Sequence, residues 1–294
     1  MPTDEKRRQI AGILLVLASC AAFAMSPTAA RFAFEAGGNT LTVATLRAAV
    51  GVVLIALLLA ATRESFRLPA AALRPSLAAG ALSAIVSYGF VGAVAFIPVG
   101  LALLVFFTHP LLIAALWHWH GKERFTMRKL LLAMLVLAGL GLAIGTAFEG
   151  LDPRGILLAA LASVAVTGMI AFSARARQLA GSAPINLLVA LVSAGLTGGV
   201  TTALGAWAFP AGTIGWLGVL GAGLGTTLGL LMFLASFRYV SPVRATMLSN
   251  VEPVFGILFA MALLGEWLTP LQWAGVALVV AGLVLFEMPA KRRT

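Results

Sequence analysis

The chain has 294 residues, of which 61% are hydrophobic and only 10% charged, with a mean hydropathy of +1.04. That composition leaves no room for a soluble domain of any size, and the single cysteine, Cys20, excludes an intramolecular disulfide. A net charge of +10 could suit nucleic acid, but the basic residues are spread in twos to fours over six short segments with no folded basic face; topology signals and anionic lipid account for them.

Ten apolar stretches fill the chain, each about 20 residues long, the length that crosses a ~30 Å hydrocarbon core as a helix. Within lipid only helices or closed barrels satisfy their backbone polar groups. The predicted spans are Ile10–Phe32, Thr42–Ala61, Pro75–Val94, Gly100–Trp119, Leu130–Ala147, Gly155–Ala174, Ile185–Ala206, Ile214–Ser236, Val243–Leu264 and Leu271–Met288. The first follows Lys6-Arg7-Arg8 as a signal peptide would. It spans a full bilayer without a clean small-residue cleavage site, so it reads as a retained helix. Short connections carry turn chemistry: Gly37-Gly38-Asn39, Leu68-Pro69, Gly121-Lys122-Glu123, Asp152-Pro153 and Pro210-Ala211-Gly212. The fold class is therefore an all-α polytopic membrane protein.

Seventeen of the 20 Lys and Arg residues fall on alternate connections, leaving Arg31, Arg47 and Arg154 elsewhere. By the positive-inside rule the rich side is cytoplasmic, which places both termini in the cytoplasm. The alternation also supports an even number of spans.

The two halves echo each other. Gly12-Ile13-Leu14-Leu15 opens the first helix and Gly155-Ile156-Leu157-Leu158 the sixth; Leu-Ala-Ser, Met and Arg follow in both (Leu17-Ala18-Ser19, Met25, Arg31; Leu161-Ala162-Ser163, Met169, Arg175). Later, Pro110 matches Pro253, Glu123 matches Glu266, Thr126 matches Thr269 and Gly139 matches Gly282. Five helices per half is an odd number, so the second copy inserts upside down. The domains are then residues 10–147 and 155–288, two inverted five-helix repeats. Inverted repeats are a signature of secondary transporters, with the substrate site near mid-membrane between the copies.

Two five-helix halves, Pro-centred fourth and ninth helices, and the Gly-Glu turns Gly265-Glu266-Trp267-Leu268-Thr269 and Gly121-Lys122-Glu123-Arg124-Phe125-Thr126 together resemble the EamA-type transporters of the drug/metabolite transporter superfamily. Asn250-Val251-Glu252-Pro253 is the most specific part of the likeness. The resemblance implies ten helices and export of small metabolites, often amino acids. Within the superfamily the chain is similar to bacterial aromatic amino acid and metabolite exporters. His109 stands where the second half has Glu252, so one acidic role does not carry to both halves.

His109 and Glu252 each lie about ten residues into their spans, near the bilayer centre. A charged side chain there costs a few kcal/mol, so such residues face the bundle interior or a water-filled cavity. Each precedes a proline, which removes a helical donor and frees a carbonyl at Phe106 or Ser249. Helical spacing adds Phe106 and Ser249 to the same faces, while Asn250 turns to another face and reads as a tie to neighbouring helices. Tyr88, near Ser83 and Ser87, carries a phenol that needs a hydrogen-bond partner, and Met25 is adaptable cavity lining. The candidate substrate site is thus His109, Glu252, Tyr88, Phe106, Ser249 and Met25, with structural packing the competing account of each.

Arg47 reads as an interfacial residue that snorkels, with a substrate carboxylate the alternative. Trp117-His118-Trp119-His120 reads as an aromatic belt at the membrane boundary rather than a metal site. The glycines at 139, 141, 145, 275 and 282 predict tight packing of the fifth and tenth helices away from the pathway. The links Phe96–Val99 and Tyr239–Pro242 are candidate gates. No catalytic constellation, Walker lysine or His/Cys cluster is present, so neither enzyme activity nor any cofactor or metal is expected. The expected function is secondary export of an amino acid or related small metabolite, protons being a candidate coupling ion. A passive channel, or a carrier of another class such as a nucleotide-sugar, is the alternative. Monomer and homodimer are left open.

Overall fold

The computed structural model describes residues 2–63, 67–94, 96–97, 99–121, 126–144, 152–264 and 269–287. The turns at Lys122–Phe125 and Gly265–Leu268, Pro98 of one candidate gate, and the repeat boundaries at 147 and 288 lie outside the described residues.

Among the described residues the chain is helical: α1 (Pro2–Glu35), α2 (Thr40–Thr62), α3 (Ala70–Val94), α4 (Val99–Phe106), α5 (His109–Trp119), α6 (Met127–Ile144), α7 (Pro153–Arg177), α8 (Ser182–Ala203), α9 (Gly212–Ser236), α10 (Pro242–Leu248), a 3₁₀ turn (Ser249–Val251), α11 (Glu252–Leu264) and α12 (Pro270–Glu287). Six of these, α1, α2, α3, α7, α8 and α9, are long and apolar enough to cross a bilayer, and Leu104–Trp119 and Pro270–Phe286 are shorter apolar segments. The predicted fourth and ninth spans are each interrupted, at Phe107–Thr108 and at the 3₁₀ turn. Both breaks sit immediately before the prolines, where the helical ladder loses a donor.

Packing runs between the halves. α1 lies against α9 and α3 against α7; α2 pairs with α8 and α6 with α12; α2 also touches α9, and α3 touches α8. Exchanging each helix for its counterpart in the other half leaves this scheme unchanged. Counterpart helices run antiparallel: Thr45 meets Thr201 (3.4 Å between hydroxyls) while Gly51, further along α2, lies beside Ala190, earlier in α8. Likewise Gly139 faces Leu278 and Val279, while the later Gly282 faces the earlier Val136.

The repeated glycines have the same task in both halves. A Cβ at Gly12 would sit 2.7 Å from Tyr239 Cβ and 2.9 Å from Val240, and one at Gly155 would sit 2.7 Å from Ile97 and 3.0 Å from Phe96. Each lets the first helix of one half touch the short link of the other. The predicted tight packing of the glycine-bearing helices is present in α6·α12. Leu140 and Val279 are fully buried there, and Phe107 and Val254, one from each broken segment, join the same cluster.

One end of the bundle is tied by loop-to-loop bonds. Asn39, the N-cap of α2, donates Nδ2–H to Ala206 O (2.6 Å), Ala208 N donates to Thr42 Oγ1 (2.9 Å), and Ala211 N donates to Ala36 O (2.7 Å). The α1–α2 connection is thereby fastened to the α8–α9 connection. Beside it Trp207, Phe209 and Trp216 stack at 5.4 and 6.4 Å, with Phe209 and Trp216 exposed as in an interfacial aromatic belt.

Candidate functional site

Two polar regions interrupt the apolar interior. At the first break Thr108 donates its hydroxyl to Val105 O (2.7 Å) and lies 3.0 Å from the Ser163 hydroxyl of α7. His109, buried, is 3.1 Å from Phe106 O; that carbonyl only accepts, so Nδ1 carries the hydrogen. The carbonyl freed by Pro110 is thus capped by the preceding imidazole, which also packs against the Phe106 and Phe107 rings at 5.3 and 5.9 Å. Phe106 further meets Phe90 edge-on at 5.7 Å.

At the second break Glu252 N donates to Ser249 O, closing the 3₁₀ turn. Ser249 donates its hydroxyl back to Thr246 O (2.7 Å), and Asn250 Nδ2 donates to Met247 O (3.0 Å). The expectation that Asn250 ties neighbouring helices is corrected: its amide serves its own helix, because the break leaves carbonyls within its short reach. The Glu252 side chain is partly buried in the first turn of α11, close to Cys20 of α1, and its carboxyl group has no hydrogen-bond or ion-pair partner among the described residues. Phe106 and Phe107 meet Val251 and Val254 in one apolar cluster, so the two breaks come together.

The second region is a cavity of about 60 Å³ walled by α2, α3, α8 and α9, which are two helices and their two counterparts. Its polar lining is Arg47, Ser83, Ser87, Asn186, Ser193, Thr226 and Thr227. Ser87 donates to Ser83 O (3.1 Å), which leaves its hydroxyl lone pairs available, whereas Thr226 donates to Ala222 O (2.9 Å) and lies 2.8 Å from the Ser26 hydroxyl. Gly51 opens the middle: a Cβ there would come within 2.8 Å of Thr227 Oγ1.

None of the six expected site residues lines this cavity. His109, Phe106, Ser249 and Glu252 gather at the breaks. Tyr88 follows Ser87 along α3 and spends its hydroxyl on Thr197 O (2.6 Å). Met25 is 47% exposed. The interfacial reading of Arg47 is likewise corrected, since the arginine lines the cavity. Asn186 and Ser193 were missed because single polar residues in an apolar run carry no signal of the face they occupy. No group of three His, Cys, Asp or Glu residues among those described could hold a metal.

These features define a multi-pass helical membrane protein with a polar cavity between its two halves. The chain belongs to the EamA-like transporter family, which matches residues 10–145 and again 153–288. A solved structure titled only "Crystal structure of protein" has the same fold, with a TM-score of 0.82 and 18% identity over 95% of this chain and 97% of its own. Comparison with curated proteins finds no match.

Proposed function

We propose that this protein is a secondary transporter of the bacterial inner membrane that exports small metabolites, foremost amino acids with aromatic ones favoured, by alternating access. The observation that carries the reading is the cavity walled by α2, α3, α8 and α9, where two helices and their repeat counterparts surround one polar space and α2 runs antiparallel to α8. One fold used in two orientations can exchange conformations between its halves and so turn the same cavity from one face to the other. A cavity of about 60 Å³ holds only a few waters, so a metabolite enters as the helices separate. The amino acid class follows from the family resemblance and from a cavity that combines one cationic side chain with hydroxyl and amide groups. Glu252, with a carboxyl group free of protein partners among the described residues, is the candidate proton carrier; His109, whose Nδ1–H is committed to Phe106 O, supports the bend.

Counterflow of labelled amino acids in proteoliposomes tests the function. Saturable uptake driven by unlabelled substrate inside supports a carrier, whereas flux linear in concentration without counterflow would mean a passive channel. The same reading has both termini in the cytoplasm; labelling of a cysteine next to Arg67 from the periplasm, in a Cys20→Ser background, would overturn that orientation.

A further inference from the structure

Resting on the transporter reading for its use, we infer that the α2·α3·α8·α9 cavity is a binding site for a small carboxylate-bearing metabolite, with Arg47 holding the carboxylate and Asn186 a second polar group. Among the described residues that line the cavity, Arg47 is the one cation and none is acidic. Among the described residues it also has no hydrogen-bond or ion-pair partner, in contrast to Arg31, whose Nε lies 3.0 Å from Glu35. A guanidinium presents five donors in a planar fork that matches a carboxylate. Held unpaired at membrane depth, it needs water or an anion to balance it.

Asn186 supplies an independent observation. Its side chain is 1% exposed, lines the same cavity, and leaves both Oδ1 and Nδ2 without a partner. Buried amides are normally satisfied, and an orphaned one at a cavity wall is a contact awaiting a ligand or water. Gly51, Ala190 and Thr227 mark one level of the cavity. Arg47 is one turn from Gly51 and Asn186 one turn from Ala190, each about 6 Å along helices that run oppositely. The cation and the amide therefore root on opposite sides of that level and would address different ends of one solute. Ser83, Ser87 and Ser193 lie on the wall between these helices and can accept hydrogen bonds from a ligand N–H. With one positive charge in the lining, a monoanion balances the site and a zwitterion pairs its carboxylate with Arg47 while its ammonium turns to the hydroxyl and amide oxygens; a dianionic phosphate leaves an uncompensated negative charge.

The scaffold repeats but the charge does not. α2 and α8 begin at Thr40 and Ser182, so the counterpart of Arg47 falls at the apolar pair Val189-Ala190. Arg47 is not needed for the symmetric packing, since the second half builds the same wall without it.

Binding to the purified full-length protein, read as ligand-dependent thermal stabilisation and direct titration, tests the site with four probes: L-phenylalanine, 3-phenylpropionate, phenethylamine and inorganic phosphate. The wild type is expected to bind the two carboxylates and not the amine or phosphate. Arg47→Gln should weaken carboxylate binding about 10- to 100-fold, the scale of a lost charge-assisted pair, and Arg47→Lys should restore part of it. Asn186→Ala should weaken L-phenylalanine binding more than that of 3-phenylpropionate. Equal binding of phenethylamine, binding of phosphate alone, or absence of carboxylate binding to the wild type would overturn the inference without any variant having to fold. Unchanged affinity in a folded Arg47→Gln protein would do the same. Counterflow is read separately: its absence beside intact carboxylate binding removes the transport reading and leaves the site. Counterflow of unchanged half-saturation in Arg47→Gln removes the site and leaves transport.

Discussion

Replacing Gly275 by alanine adds one methyl group at the crossing of α6 and α12. The added Cβ would meet Ala143 N first and would lie 2.6 Å from Gly139 O and 2.8 Å from Ala143 Cα, against ordinary contact from 3.4 Å. All three obstacles are backbone, so rotamer changes cannot clear them. The helices must part by about 1 Å, a gap that forfeits up to about half of each dispersion contact across it. The contacts affected include the fully buried Leu140 and Val279. The expected loss is about 1–3 kcal/mol, the usual range for overpacking, and towards its upper end because backbone does not yield. Gly199→Ala is the control: that position lies in α8, is exposed, and would place its new methyl group with no atom within 4 Å. There alanine gains helix propensity and should raise stability by up to about 1 kcal/mol. Thermal unfolding in detergent should show Gly275→Ala several degrees below the wild type and Gly199→Ala at or above it. Neither α6 nor α12 lines the cavity, so affinity for L-phenylalanine should be unchanged in protein that remains folded. If both variants shift stability equally, close backbone approach is not what holds α6 to α12.

Gly12→Val and Gly155→Val should lower the melting temperature by similar amounts, because a Cβ at either position would come within 2.7 Å of the opposing link; a large inequality would refute their symmetric role. Glu252→Gln keeps size but cannot titrate, so if Glu252 carries the proton, proton-driven accumulation should vanish while counterflow persists; full activity in both assays would make Glu252 structural. Asn39→Ala removes the α2 cap and the 2.6 Å tie to Ala206 O, at a cost of about 1 kcal/mol. With that tie gone, a cysteine placed at Ala44 in a Cys20→Ser background should label faster from the α1–α2 side, and unchanged labelling would mean that the loop bonds do not close that face.

Much of the architecture is legible along the chain because the bilayer imposes one requirement everywhere. Backbone groups must pair internally, so apolar runs of spanning length become helices. The lost donors at Pro110 and Pro253 follow directly, as does the equivalence of Gly12 and Gly155; that the helix is interrupted there does not, since Pro27 sits inside the unbroken α1. The carbonyl freed at Phe106 was foreseeable too, although the group that satisfies it, the imidazole of His109, required local geometry. Asn250 was misread for a related reason: spacing tells which face a residue occupies but not that a 3₁₀ turn brings Met247 O within its reach.

The placement of Arg47 shows where such reading ends. Its depth along α2 is countable, but α2 is apolar on all sides, and nothing in its pattern says which face meets lipid and which meets another helix. Asn186, Ser83 and Ser193 are equally silent for the same reason. The sequence by itself determined that the protein is helical, membrane-spanning and twofold repeated, with prolines that remove a helical donor in the fourth and ninth segments, since these depend on length, hydropathy and proline chemistry. Only the tertiary structure decided that α2 and α3 face α8 and α9 around a polar cavity, and that Arg47 and Asn186 share it. Rotation of each helix about its axis is set by the close fit of side chains from distant parts of the chain, and hydropathy carries no record of that fit.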